Sequence, residues 1–347
     1  MVDVTVRWRD ERMLPRHHAS GWSLCLKGRV TEATWDEVRT RIRRWMPVEP
    51  LLIASPDSDV LLPPPYHPEL YPECRRAVLR QTMAIAVMAT IFGLLCVATV
   101  GWLSPGAISG TGITLLMLAM LFGHERLVLA KSDALKERAL FFYWLKVQSS
   151  AGVGFYVWLF VVIVMGLMQL GAIHYLGSAT NTIYAVGMYY PAIDDGAWWR
   201  VVTGPYFHSS LLHYGTNAAF LVLFGALAWA YFSPWFVIAL FVSATSLSMW
   251  MQYQFGPHDL PAAFGVSGGV AALMGSIVAL ALNQKSIFPK GVGIGVAGVT
   301  VLCLITPELY DNAVATVAHI SGVVMGLMAG FLILTSRLFR AAALQQA

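Results

Sequence analysis

Eight apolar stretches dominate this sequence, and each is long enough, or nearly so, to cross a bilayer about 30 Å thick. Hydrophobic residues make up 57% of the 347 residues and charged residues only 12%, which is about half the usual share. The predicted spans are residues 81–103, 107–123, 152–173, 208–231, 235–253, 264–283, 292–306 and 313–336. A chain of this composition lacks the polar side chains to cover a surface in water. The sequence therefore predicts an all-α, multi-pass membrane protein.

The distribution of positive charge predicts how these spans are oriented. With eight alternating spans, residues 1–80, 124–146, 284–290 and 337–347 lie on one side of the membrane, and they contain 22 of the 23 lysines and arginines. Only Arg200 falls on the other side. By the positive-inside rule, both termini are expected to be cytoplasmic. A bacterial inner (cell) membrane is the expected location.

Composition also argues against several classes of function. A net charge of +4 is too small to favour nucleic acid as a partner. The four cysteines show no paired spacing, so neither a disulfide framework nor a metal site is expected. We expect no cofactor. The first ten residues contain no apolar segment, so no cleavable signal peptide is expected.

The residues before the first span have the character of a small cytosolic α/β module. Thr34 is followed three residues later by Glu37, which is the spacing of a capping box at the beginning of a helix. The apolar side chains that follow this box fall on one helical face. Short strands are predicted at residues 4–8, 23–27 and 51–54, and the apolar helical face comprises Val38, Ile42 and Trp45.

Arginines occupy the other side of this predicted helix, at Arg39, Arg43 and Arg44. Two interpretations of these arginines remain open at this point. They form either a simple solvated face or a surface that contacts anionic lipid headgroups. A proline-rich stretch, residues 62–71, is predicted to link the module to the first span.

Four polar side chains lie inside spans where lipid makes them costly, and all four are expected at one depth. His213, Ser267 and His319 each lie 18 residues from the cytoplasmic end of their own span, about 27 Å along the helix axis. Asn217 lies one helical turn after His213. Any one of these groups alone is most simply a packing residue. Because they share one level near the outer face, we predict that they form a site.

Glycines predict how the serine and the histidine meet. Gly265, Gly269 and Gly275 make one side of the sixth span small, and Gly322 and Gly326 do the same for the eighth. Small residues at this spacing allow two helix backbones to approach closely. Hydrogen-bond contact between a serine and an imidazole is the minimum unit of nucleophilic catalysis.

We therefore predict Ser267 as a nucleophile, His319 as its general base, and His213 with Asn217 as donors to an oxyanion. No acidic residue lies at this level within a span. The prediction is a dyad rather than a triad.

Residues 152–336 resemble the rhomboid family of intramembrane serine proteases. Three short patterns carry the resemblance and occur in the family's order. They are Trp199-Arg200 in a long loop followed by His213-x-x-x-Asn217, then Gly265-x-Ser267-Gly268, then Ala318-His319-x-x-Gly322-x-x-x-Gly326. The resemblance implies the same catalytic roles for Ser267, His319, His213 and Asn217. It also implies that Gly265, Gly268, Gly322 and Gly326 pack helices together, and that Trp199 and Arg200 anchor the loop.

The resemblance implies a six-helix rhomboid protease core over residues 149–340. An extra transmembrane helix pair (81–123) and a cytoplasmic linker (124–148) are expected between this core and the cytosolic N-terminal module (1–75). The implied activity is hydrolysis of peptide bonds in or next to transmembrane segments of membrane proteins. The expected partners are transmembrane protein substrates and the lipid bilayer, with the oligomeric state left open.

One departure from the family pattern leaves an alternative open. Some rhomboids carry a tyrosine four residues after the nucleophile that packs on the catalytic imidazole, and here that position is Ala271. The alternative is a catalytically weak or inactive rhomboid-like protein that binds membrane clients. A channel or transporter is disfavoured, because the polar residues stop at one depth and the inner half of the spans is apolar.

Overall fold

The computed structural model describes residues 14–15, 21–26, 28–58, 60–98, 105–257, 261–283, 287–305 and 315–346. These residues are mostly helical, with a small sheet near the N-terminus. The strand predicted at residues 4–8 lies outside the described residues. The chain divides into two compact units, one formed by Val2–Ser149 with Lys285–Gly298, the other by Ser150–Gln284 with Val299–Ala347.

The first unit begins with a three-stranded antiparallel sheet. Its strands are β1 (Ser23–Leu26), β2 (Arg29–Glu32) and β3 (Leu51–Ala54), in the order β2-β1-β3. The β1 and β3 positions agree with the predicted strands, whereas β2 was not predicted. Every residue of β2 is exposed, so this edge strand lacks the apolar alternation by which strands are recognised.

Helix α1 (Trp35–Ile42) connects β2 to β3 and begins as predicted. Glu37 N donates to the Thr34 hydroxyl at 3.3 Å, and Thr34 N donates to the Glu37 carboxylate at 2.7 Å, which together form a capping box. The predicted apolar face is fully buried at Val38, Ile42 and Trp45. The module therefore has a hydrophobic core, which also includes side chains of the sheet and of three later helices.

The proline-rich stretch is packed against the sheet, although it was predicted to be a linker. Pro64–Tyr66 forms one 3₁₀ turn, and Leu62 exchanges two backbone hydrogen bonds with Ile53 of β3. The buried ring of His67 also donates from Nε2 to the carbonyl oxygen of Ile53, at 3.0 Å. Prolines alone predicted an extended, loosely attached segment, whereas burial of Pro64 and Pro65 fixes it.

Three further helices complete this part of the chain: α2 (Tyr71–Ala98), α3 (Pro105–Leu129) and α4 (Ser132–Tyr143). The segment predicted as a linker, residues 124–148, is thus largely helical. Arg138 of α4 is buried, and its guanidinium donates to Glu125 at 2.6 Å and to the Lys290 carbonyl oxygen at 2.9 Å. Burial of an arginine requires such partners, and these two contacts hold α4 in place.

The second unit contains longer helices and a short two-stranded sheet. Strand β4 pairs antiparallel with β5, both only two residues long. Its elements in chain order are α5 (Ala151–Leu176), α6 (Ala179–Val186), β4 (Met188–Tyr189), α7 (Tyr190–Asp194), α8 (Arg200–Thr203), α9 (Leu211–Tyr231), α10 (Pro234–Phe255), β5 (Ala262–Ala263), α11 (Ser267–Asn283), the second half of α12 (Val292–Ile305) and α13 (Thr316–Gln346).

Five helices of the described chain are long and apolar enough to cross a membrane: Tyr71–Cys96, Ala151–Leu176, His213–Tyr231, Pro234–Phe255 and Thr316–Thr335. Two shorter apolar helices, Ser267–Asn283 and Val292–Leu304, lie among them. Within the described residues, each predicted span coincides largely with a helix. Large apolar side chains are exposed along these helices, as a lipid environment requires. The protein is a multi-pass integral membrane protein.

Candidate active site

Ser267 is the first residue of α11, although the predicted span began three residues earlier. The chain before it is extended, and Gly265 has φ +96°, a backbone conformation that favours glycine. Gly265 N donates to the carbonyl oxygen of Phe207 at 2.9 Å, which ties this turn to the loop before α9. A sharp turn thus places the serine at the end of a helix that is otherwise almost entirely buried.

Helices α11 and α13 approach each other as closely as the glycine pattern predicted. A methyl group at Gly322 would overlap the carbonyl oxygen of Gly268, and one at Gly326 would overlap the carbonyl oxygen of Ala272. At Gly268, on the other side of α11, a methyl group would overlap the hydroxyl of Ser248 in α10. These glycines are therefore required by close backbone approach.

The close approach brings Ser267 and His319 into contact. Nε2 of His319 lies 2.8 Å from Oγ of Ser267, which is a hydrogen-bond distance. Both residues are partly buried. Nδ1 of His319 has no hydrogen-bond partner among the described residues, and the acidic third member of a triad is not found within this part of the chain.

His213 and Asn217 project from α9 toward the turn before the serine. A methyl group at Gly265 would lie 2.9 Å from Nε2 of His213 and 3.2 Å from Nδ2 of Asn217. Glycine at this position therefore leaves space beside both nitrogen atoms. Asn217 is only 6% exposed, and its Nδ2 has no hydrogen-bond partner in the described parts of the chain. A buried amide donor without a partner is costly, and such a group is suited to an oxygen that arrives with a ligand.

His208 is fully buried behind these donors. Its backbone N–H donates to Oε1 of Gln169 at 2.8 Å, and its carbonyl oxygen accepts from Nε2 of the same glutamine at 3.1 Å. The His208 ring lies edge-on to His213, with ring centroids 5.2 Å apart. The His208 ring therefore packs against His213, and Gln169 of α5 holds the backbone of His208 in place.

Arg200 holds together the long loop between α5 and α9. Its guanidinium donates to the carbonyl oxygens of Tyr184, Ala185 and Gly187 at 3.1, 2.7 and 2.8 Å. The ring of Trp199 lies beneath this guanidinium, 4.9 Å from its central carbon, while about half of the Trp199 side chain stays exposed. The two predicted anchor residues thus contact each other, and Arg200 joins two parts of the loop.

Two residues at the end of α10 were not predicted, and both connect the loop to the site. Oε1 of Gln252 accepts a hydrogen bond from Ala318 N at 3.2 Å, one residue before His319, and its side chain also bonds the Tyr190 hydroxyl. The hydroxyl of Tyr253 donates to Asp194. In the sequence, the only sign of these contacts was that two polar residues end an apolar span. Such a pair indicates a contact but does not identify its partner.

The site as a whole contains a hydroxyl in contact with an imidazole, beside two nitrogen atoms that face a glycine-lined space. Such an arrangement can activate a serine for attack on a carbonyl and stabilise the negative charge that develops on the carbonyl oxygen. Within the described residues, no group of histidine, cysteine and acidic side chains could hold a metal ion.

The described helices define a multi-pass membrane protein in which a serine contacts a histidine, and comparison with known proteins identifies its family. A family model for the rhomboid domain matches residues 195–336. The rhomboid protease GlpG of Haemophilus influenzae is 31% identical over 166 residues, which cover 45% of this chain and 81% of that protein. The chain belongs to the rhomboid family, and this membership supports an intramembrane protease function.

Proposed function

We propose that the protein is an intramembrane serine endopeptidase with a Ser267–His319 dyad. The observation that supports this proposal most directly is the 2.8 Å contact between Oγ of Ser267 and Nε2 of His319. The substrates are transmembrane proteins, cleaved in or next to a membrane-spanning segment near the outer face. The chemistry needs neither a metal ion nor a cofactor, because a hydroxyl, an imidazole and hydrogen-bond donors are sufficient.

In the acylation step, Oγ of Ser267 attacks the carbonyl carbon of the scissile peptide bond, and Nε2 of His319 takes the hydroxyl proton. The carbonyl oxygen becomes an oxyanion. Asn217 donates to it from Nδ2, and His213 donates from Nε2 when its tautomer carries the proton there. His319 then returns the proton to the leaving nitrogen, the peptide bond breaks, and an ester on Ser267 remains.

In the deacylation step, water attacks the ester while His319 accepts one of its protons. The same donors stabilise the second oxyanion, and collapse of this intermediate returns the proton to Oγ of Ser267. Water enters from the outer side of the membrane. The cleavage site in the substrate follows a small residue in a helix that unwinds easily, because an intact helix hides its carbonyl groups.

The proposed organisation follows the sequence. Residues 1–75 are a cytosolic module, 81–123 an extra transmembrane helix pair, 124–148 the connection, and 149–340 the six-helix protease core. Both termini are cytoplasmic, in a bacterial inner membrane. The concentration of lysine and arginine in segments that alternate with the spans supports this orientation.

A second candidate function is supported by the surroundings of His319. Ala271 is too small to pack against the His319 imidazole. Nδ1 of His319 also has no hydrogen-bond partner within the described residues. A weakly held base favours a protein that binds membrane clients and cleaves them slowly or not at all.

A serine-reactive fluorophosphonate probe tests the proposal on detergent-solubilised protein. We expect labelling of the wild type and none of Ser267→Ala or His319→Ala, since the probe requires an activated hydroxyl. Cleavage of a transmembrane reporter substrate by the same three proteins distinguishes the two candidates. Equal cleavage by Ser267→Ala would overturn the mechanism. Binding of the reporter without cleavage by the wild type would favour the client-binding protein.

A further inference from the structure

Helix α1 lies beside the beginning of α2, and three hydrogen bonds from two arginines fix its direction. Near the middle of α1, Arg39 donates to the Glu73 carboxylate at 2.9 and 2.7 Å. At its end, Nη2 of Arg80 donates to the carbonyl oxygen of Arg43 at 2.7 Å. Glu73 and Arg80 are seven residues apart, about 10 Å along the axis of α2. The carboxyl end of α1 is therefore the end that approaches Arg80.

Arg80 marks the level at which α2 begins to face lipid. It is the last charged residue of the helix, and large apolar side chains are exposed from Met83 onward. The exposed fractions of Met83 and Met88 are 47% and 53%, which is expected of side chains that contact acyl chains. Arg80 thus lies at the headgroup level of the bilayer, and the carboxyl end of α1 lies there with it.

Four exposed arginines lie just after α1 and along the last charged turns of α2, and we call them the basic surface: Arg43, Arg44, Arg76 and Arg80. None of the four forms an ion pair with another described residue, whereas Arg39 and Arg41 pair with Glu73 and Glu49. The acidic residues of α1, Asp36 and Glu37, occupy its first turn, at the opposite end of the helix.

We propose that the basic surface binds the headgroups of anionic phospholipids in the membrane that the chain spans. A guanidinium presents paired N–H donors that match two phosphate oxygens, and its charge complements the negative potential of an anionic leaflet. Zwitterionic headgroups offer the same phosphate together with a compensating cation, so their attraction to the surface is weaker. Binding holds the N-terminal module against the leaflet, independently of the proposed catalysis.

Native mass spectrometry of the full chain, exchanged from mixed phosphatidylcholine and phosphatidylglycerol micelles, tests this proposal by counting retained lipids. The wild type is expected to retain phosphatidylglycerol in preference, and Arg43→Gln/Arg44→Gln to retain it with an affinity lower by about fivefold per arginine. Arg43→Lys/Arg44→Lys keeps the charge and is expected to keep the preference. Arg29→Gln, a matched loss of exposed charge on β2, should leave retention unchanged.

Added salt provides a second readout that needs no variant. Exposed charges are screened within about 10 Å at moderate ionic strength, so the preference of the wild type should decline as salt rises. Excess inorganic phosphate should not displace the lipid beyond this salt effect. Equal retention by the wild type and the double glutamine variant, or equal retention of the two lipids by the wild type, would overturn the proposal.

Discussion

Oε1 of Gln252, at the end of α10, accepts a hydrogen bond from the backbone N–H of Ala318, the residue before His319. The glutamine is almost fully buried, and the N-terminal N–H groups of α13 have no partner within their own helix. Gln252 therefore fixes the beginning of the helix that carries the proposed base. We expect it to act as a positioning residue, because it bonds the backbone beside His319.

Replacement of Gln252 by methionine is expected to lower kcat about tenfold, with a smaller change in KM. Loss of the amide leaves Ala318 N unpaired and lets the imidazole drift from Ser267, while the substrate-binding surface stays in place. Steady-state cleavage of a transmembrane reporter measures both constants. Gln254→Met, two residues away on the exposed side of α10, is the matched control. An equal loss in both variants would refute the positioning role.

Asn217→Ala is expected to lower kcat by about 10² or more, since the oxyanion loses one donor. KM should change little, because the donor acts mainly in the transition state. Asn283→Ala, at the exposed end of α11, removes the same side chain away from the site and should retain full activity. Unchanged kcat in the Asn217 variant would exclude this residue from the oxyanion site.

Gly265→Ala tests the space beside the two donors. The added methyl group would lie 2.8 Å from Cε1 of His213 and would also strain a backbone with φ +96°. We expect loss of reporter cleavage by about 10² or more if both donors are displaced. Gly171→Ala in α5 places a methyl group in open space and should leave cleavage intact. Retention of wild-type activity by Gly265→Ala would contradict the proposed donor geometry.

Gly322→Leu is expected to separate α11 from α13 and abolish cleavage. Even a methyl group at this position would overlap the Gly268 carbonyl oxygen, so a larger side chain cannot be accommodated without moving the helix. Thermal unfolding followed by circular dichroism should show a lower Tm than that of wild type, whereas Gly171→Leu on the open face of α5 should not. A fully active Gly322→Leu protein would disprove the requirement for close helix packing.

The stability of the N-terminal module is expected to fall in mild acid. Burial lowers the pKa of His67 below its ordinary value of about 6.5, although its bond to the Ile53 carbonyl opposes this shift. The unfolded chain then binds the proton more readily than the folded one, so stability is complete above about pH 6.5 and declines below it. Hydrogen exchange of the β3 amides at pH 7.5 and 5.5 measures the stability of the module at the two pH values. In His67→Phe, the loss of stability between pH 7.5 and 5.5 should disappear.

Much of the fold was predictable because lipid imposes a strong and simple pattern. Apolar stretches identified every long helix, but they misplaced the beginning of α2, which starts at Tyr71 rather than at residue 81. Its first ten residues are polar enough to be missed, and they are helical because they pack on the N-terminal module through Cys74 and Val78. Tertiary contacts of this kind leave little periodic signal in the sequence.

The candidate site was likewise predictable in part. Equal depth and glycine spacing predicted the contact between Ser267 and His319, since helix geometry alone converts residue spacing into position. Gln169 and Gln252 were missed because each bonds backbone groups of a distant segment. Such side-chain-to-backbone bonds depend on which segments are neighbours, and hydrophobic periodicity does not contain that information.

The short pairing of β4 with β5 links the long loop between α5 and α9 to the segment just before Ser267. Met188 opposes Ala263, only four residues before the serine, and Tyr190 N donates to Pro261 O beside this pair. Ser267 and the loop that Arg200 holds are therefore connected through this pair of strands. Any movement of this loop away from α11 must therefore either break the hydrogen bonds between β4 and β5 or move Ser267 as well.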